Sequence, residues 1–281
     1  MIQNKTLLFT NKLLKYKIEN VNISNMREGT EIKILKMVAN FYHDLFYKNE
    51  SLFPHQYKQL ATFHINRPEI KKFSLGFCPD KDDKRYSGKA FAEYYEQMWL
   101  KYPQLAKVCV SMGLLEVTRE GYKDGLAGAF TFPYYDEGGN LFNMAVLYPE
   151  GRWELLYQKD TLATFGIKQA YYDIQDYKIA ILLEDIYDFF AIYHLLSPTG
   201  IDPCLLCKKI GTDILEKLSQ LGAEQVFAIG FKKFTNEKID LIFVQKTGDA
   251  LEILNEILCL MQNERLKRLI EVGLELLEKK S

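Results

Sequence analysis

A chain of 281 residues, 48% hydrophobic and 14% aromatic, has the material for one large domain or two small ones around a packed core. Its 36 Lys and Arg nearly balance its 37 Asp and Glu, giving a formal net charge of −1, which excludes nucleic-acid binding by overall charge and requires a local basic face for any such contact. Five cysteines do not suggest a disulfide framework, no apolar run is long enough to span a membrane and no signal peptide is read, so the cytoplasm is the expected compartment.

Residues 1–30 mix short apolar runs with Asn-rich breaks and read as an N-terminal appendage. The basic bias of the N-terminal stretch (Lys5, Lys12, Lys15, Lys17, Arg27, Lys33 and Lys36) matches an ordinary solvated face. From 31 to 49, Ile34, Met37, Val38, Phe41, Tyr42, Leu45 and Phe46 recur at helical spacing. Pro54 marks a break, helical character resumes over 56–63, and 67–73 is a short helix with Pro68 near its start. A short strand and turn follow over 74–79, then a polar, charged loop over 80–89. Residues 90–112 fit one or two helices interrupted by Pro103, and Gly113 opens a new unit.

The middle of the chain reads as antiparallel β. Strands over 130–136 and 141–148 flank the hairpin signal Glu137-Gly138-Gly139-Asn140, and a further strand covers 152–157. After Ala170 the pattern changes to alternating strands (179–183, 225–229, 240–244) and helices (186–196, 212–221), which implies a mostly parallel sheet. The span 249–280 forms one or two amphipathic helices. The fold class is α+β. Four regions are expected: the appendage (1–30), a mixed α+β subdomain (31–170), an α/β subdomain (171–248) and C-terminal helices (249–281).

Three groups of residues invite a chemical reading. The buried strand 179–183 runs into Glu184, and Asp188 follows four residues later on the next helix, so both carboxylates project toward one site. The plainer alternative is that Glu184 only ends a strand and Asp188 only caps or solvates a helix start. Cys204-Leu205-Leu206-Cys207 is a lone Cys-x-x-Cys. Structural zinc takes four ligands, and His43, His55, His64 and His194 do not cluster, so no zinc is expected and both cysteines are assigned to the core. The aromatics Tyr134, Tyr135, Phe142, Tyr148 and Trp153 are assigned to a core face and its edge, in preference to a base-stacking platform.

The order of these segments resembles the catalytic core of bacterial-type (DnaG-like) DNA primases, in which a mixed α+β subdomain precedes a TOPRIM subdomain. The resemblance rests on Val38–Phe46, on Ile70–Pro79, on Gly113-Leu114-Leu115, on Phe130–Asn140, on Leu183-Glu184-Asp185-Ile186-Tyr187-Asp188 and on Gly211-Thr212, in shared order over roughly residues 35–255. It implies a TOPRIM-like second half, a role in DNA replication and nucleotidyl transfer with magnesium, using Glu184 and Asp188 as catalytic and metal-binding residues. The departures are specific. The stretch 124–129, where the family carries basic residues, has no Arg or Lys. The Asn143–Leu147 segment replaces an Arg-containing, glycine-rich turn. The second TOPRIM strand lacks its Asp-x-Asp pair: no acidic residue lies between Glu224 and Glu237, and Lys232 and Lys233 stand there instead.

Primer synthesis needs two divalent ions about 4 Å apart, held by hard carboxylate oxygens. Glu184 and Asp188 suffice for one weakly held Mg2+ with several waters, and a lysine at 232 or 233 would repel a cation or pair with Glu184. Asp185 is expected to turn away from that face. The leading expectation is therefore a primase-like protein of replication or mobile-element maintenance with a degenerate site, binding single-stranded DNA or primer-template, with Lys232 and Lys233 as nucleic-acid contacts, or a replication partner such as a helicase. The alternatives are an active divergent primase recruiting Asp213 or Asp240, and a structural or regulatory protein that dimerises or docks through 250–277. The sequence leaves the oligomeric state open.

Overall fold

The computed structural model describes residues 29–80, 90–156, 164–231, 239–246 and 248–279. The appendage up to residue 28, and Lys232 and Lys233, lie outside these. The described helices are α1 (Thr30–Lys48), α2 (Pro54–Ala61), α3 (Arg67–Phe73), α4 (Phe91–Tyr94), α5 (Glu96–Lys101), α6 (Pro103–Ser111), α7 (Ile167–Tyr177), α8 (Ile186–Leu196), α9 (Thr212–Gln220), α10 (Ala250–Leu260) and α11 (Glu264–Glu278). The strands are β1 (Gly76–Phe77), β2 (Leu115–Thr118), β3 (Gly121–Asp124), β4 (Phe130–Tyr135), β5 (Leu141–Leu147), β6 (Trp153–Leu155), β7 (Ile179–Leu183), β8 (Cys204–Leu206), β9 (Gln225–Ile229) and β10 (Asp240–Val244). The class is α+β, as the sequence implied. None of the described helices is long and apolar enough to cross a membrane.

The first half is built on an antiparallel sheet of order β1-β4-β5-β6. Helix α1 buries Ile34, Leu35, Val38, Ala39, Tyr42 and Phe46, the face its spacing implied. It crosses β1 so closely that a Cβ at Gly76 would stand 2.8 Å from backbone atoms of Tyr42 and His43, so only glycine fits there. Residues 90–112 form three short helices, broken at Tyr95 and Tyr102, where one or two were expected. The β2–β3 ribbon was not anticipated as a hairpin. Its strands are short and largely exposed, so no apolar alternation announces them.

The second half is a parallel sheet of order β10-β9-β7-β8. Strands β7, β8 and β9 are buried along their whole length because helices cover both faces. Ile179, Ile181, Leu183, Phe227 and Ile229 face α8, α10 and α11. Ala180, Leu182, Val226 and Ala228 face α7 and α9. Helix α7 was missed in sequence. It opens at Gly166 (φ 92°) with no side-chain cap, so the usual start signal is missing.

The two halves share one apolar cluster. It runs from Phe46, Phe73, Phe130 and Phe132 through Phe165 to Phe189, Phe190, Ile257 and Ile270. Phe165 pairs with Leu206 by two backbone hydrogen bonds (2.8 and 3.0 Å), and its ring meets those of Phe73, Phe132, Tyr134, Phe189 and Phe190. A polar seal lies beside it. The Lys72 ammonium donates to Tyr193 Oη (3.1 Å) and to Asp202 Oδ2 (3.2 Å), and Asp202 N donates to Asp173 Oδ2 (2.6 Å).

Candidate functional site

The carboxyl edge of the parallel sheet gathers the charged residues. Parallel strands in register bring their C-terminal ends to one edge, where ligands of α/β sheets generally sit. Leu183 pairs with both Leu206 and Ile229, and Ile229 with Val244, so residues that follow β7, β8, β9 and β10 emerge together. Glu184, Cys207, Gly230 and Lys246 are those residues.

Glu184 leaves β7 with its backbone N–H on Ile229 O (3.3 Å) and an exposed side chain. Asp185 comes next and is the N-cap of α8. Its Oδ1 accepts from the backbone N–H groups of Tyr187 (2.7 Å) and Asp188 (3.2 Å). The cap is therefore Asp185 and not Asp188, and Asp185 is not turned away: its Oδ2 lies 4.0 Å from Lys246 Nζ. Asp188, in the first turn, accepts directly from Lys246 Nζ at 2.6 Å. The Asp188 hydrogen bond holds the Lys246 ammonium above the ordinary lysine range, against partial burial, and the charges of Asp185, Asp188 and Glu184 add to it.

The lysine at the carboxylates is thus Lys246, which sequence reasoning missed. Register was the available signal, because a residue two past the end of a parallel strand returns to the same edge. Lys232 and Lys233, expected to face Glu184, lie outside the described residues. The neighbouring strand β9 is followed by Gly230 (φ +85°), where a Cβ would meet Glu184 Oε2 at 3.4 Å. That position faces Glu184 and carries no side chain.

Of the two additional acidic candidates, Asp240 does not join this edge. Asp240 begins β10, opposite Gln225 at the start of β9, at the other end of the sheet. There its Oδ2 accepts from Gln225 (3.3 Å) and Gln262 (3.2 Å). Asp213 sits in the first turn of α9, hydrogen-bonded by Thr212 Oγ1 (3.1 Å). Among the described residues no three His, Cys, Asp or Glu side chains are grouped as a metal site needs.

Cys204 and Cys207 are both buried, on opposite faces of the sheet. Burial pushes the Cys207 thiol up to about 12, and the Glu184 charge adds to this. Tyr134 is buried, and its hydroxyl has no hydrogen-bond partner among the described residues, so the core assignment describes it. The rim aromatics carry cations: Lys168 over Tyr135 (4.9 Å), Arg152 over Tyr148 (4.1 Å) and Lys208 over Trp153 (4.5 Å). The stretch lacking basic residues is occupied by a structural carboxylate. Asp124 accepts from Tyr42 Oη (2.9 Å) and from the N–H groups of Phe91 (3.0 Å) and Ala92 (2.6 Å), tying α1 to α4.

No family model and no curated protein matches the chain. Solved structures do. The Escherichia coli primase catalytic core superposes with a TM-score of 0.61 at 12% identity, over 87% of this chain and 79% of that one. The DnaG primase catalytic domain bound to single-stranded DNA gives 0.60 at 14%, over 86% and 80%. The RNA polymerase domain of Mycobacterium tuberculosis primase DnaG in complex with double-stranded DNA gives 0.59 at 16%, over 87% and 80%. The chain therefore has the fold of DnaG-type primase catalytic cores, TOPRIM-like half included.

Proposed function

We propose that the protein is a primase-like component of DNA replication or mobile-element maintenance that binds nucleic acid, or a replication partner, without synthesising primers. The observation that carries this reading is the pair Glu184 and Gly230. Nucleotidyl transfer through two ions requires carboxylates from both strands that meet at the sheet edge. Here β7 delivers Glu184, and β9 turns a glycine toward it. With Asp188 bonded to Lys246, the donor set among the described residues does not fit a two-ion clamp.

Nucleic-acid binding is supported by the fold, since solved relatives of the same architecture are DnaG domains bound to single- and double-stranded DNA. Lys232 and Lys233, two and three residues after Gly230, are the proposed phosphate contacts. The test pairs two assays on the full chain. Fluorescence anisotropy with single-stranded DNA should give binding that weakens steeply with salt. Primer synthesis on that template with Mg2+ should be at background. De novo primers lost in Glu184→Gln would overturn the reading in favour of an active, divergent enzyme.

A second reading, docking through the C-terminal helices, has one feature in its favour. Helix α11 leaves Leu269, Val272 and Leu276 exposed at i, i+3, i+7 spacing beside its buried Leu266, Ile270 and Gly273. A monomer by sedimentation whose binding to a replicative helicase is unchanged in Val272→Glu would count against it.

A further inference from the structure

We infer that Lys246 is the resident cation of this acidic edge: its ammonium takes the place of a divalent ion between Asp185 and Asp188 and keeps such ions out. The inference rests on the reading above and says what fills the site. Four observations support it.

The ammonium is in direct contact with one carboxylate and near a second, 2.6 Å from Asp188 Oδ2 and 4.0 Å from Asp185 Oδ2. It is therefore a partner of the edge as a whole and not of a single residue. Its own position is fixed by the sheet. Lys246 lies two residues past Val244, the last residue of β10, whose five-residue register with β9 sets where the chain leaves the edge. Asp188 is only about one-fifth exposed, so a cation bonded there is screened less than in an open surface pair. Finally, Asp185 Oδ1 is committed to two backbone N–H groups, which leaves Oδ2 for a cation.

Charge decides what this means for ions. Asp185 and Asp188 alone could attract one weakly held hard cation. An ammonium against both of them cuts that charge and puts a positive centre where the ion would sit, and any ion must displace it. Magnesium, reluctant to shed its waters, gains too little from the remaining oxygens to do so.

The experiment is Mn2+ binding by electron paramagnetic resonance on the full-length protein, with Mn2+ alone as probe. Wild type and Lys246→Arg should leave Mn2+ free. Lys246→Met should acquire one site, at least about tenfold tighter than any wild-type binding. Adding Asp188→Asn to Lys246→Met should abolish it. Far-ultraviolet circular dichroism of each variant establishes that it folds, and Lys246→Gln serves if Lys246→Met does not. A folded Lys246→Met and Lys246→Gln that both bind no Mn2+ would overturn the role of Lys246 and leave the proposed function standing. Mn2+ binding by wild type that is lost in Glu184→Gln would overturn both.

Discussion

Lys246 Nζ lies 2.6 Å from Asp188 Oδ2, joining the second residue past the last strand of the parallel sheet to the first turn of the helix after β7. The pair is partly exposed, with side chains 46% and 21% accessible, so its worth is that of a semi-screened ion pair. Lys246→Ala should cost about 0.5–1 kcal/mol, Asp188→Asn a similar amount, and the double variant clearly less than their sum. Urea denaturation of the four proteins of the cycle measures this. Strict additivity would mean that the two residues do not interact in solution.

Asp185 should matter more to folding than its neighbour. Removing the cap in Asp185→Ala leaves the Tyr187 and Asp188 N–H groups without their acceptor and should cost about 1 kcal/mol. Asp185→Ser should restore most of it, because a hydroxyl caps nearly as well. Thermal melts of the two variants give the comparison.

Stability should depend on pH through Asp202. Burial pushes its carboxyl from the ordinary 3.8 up to about 6, while Lys72 pulls the other way. Between those values the folded chain holds a proton that the unfolded chain has released. Stability from this group is therefore highest at the acid end, declines as pH rises from about 4 to about 6, and is level above. The total is on the order of 3 kcal/mol. Asp202→Asn should flatten that part of the profile in denaturation curves collected across the window.

Phe165 should be the costliest single truncation at the joint. Its ring touches aromatic rings from both halves and it is 1% exposed. Phe165→Ala should lose about 3–5 kcal/mol through the cavity left behind. Phe165→Leu should lose markedly less, and chemical denaturation distinguishes the two.

The elements legible in the sequence were those whose apolar pattern is dense. Helix α1, strands β4 and β5 and the β7–α8 unit stood out because burial on one or both faces writes itself into residue choice. The β2–β3 ribbon and α7 did not, one because it is exposed, the other because Gly166 starts it without a capping side chain. At the site, Glu184 and Asp188 could be read from strand-end spacing. Lys246 could not, because its place depends on the register of β10 against β9, a relationship between strands 15 residues apart. Asp185 was misplaced because its side chain caps the helix, a local hydrogen-bonding role that positional periodicity ignores.

The apolar cluster that begins at Phe46 and ends at Ile270 makes the two halves one structural investment. A fragment cut between them would expose Phe165, Phe189 and Phe190 on one side and Phe73 and Phe132 on the other, and neither fragment would keep a closed interior. The TOPRIM-like half is thus not a portable cassette.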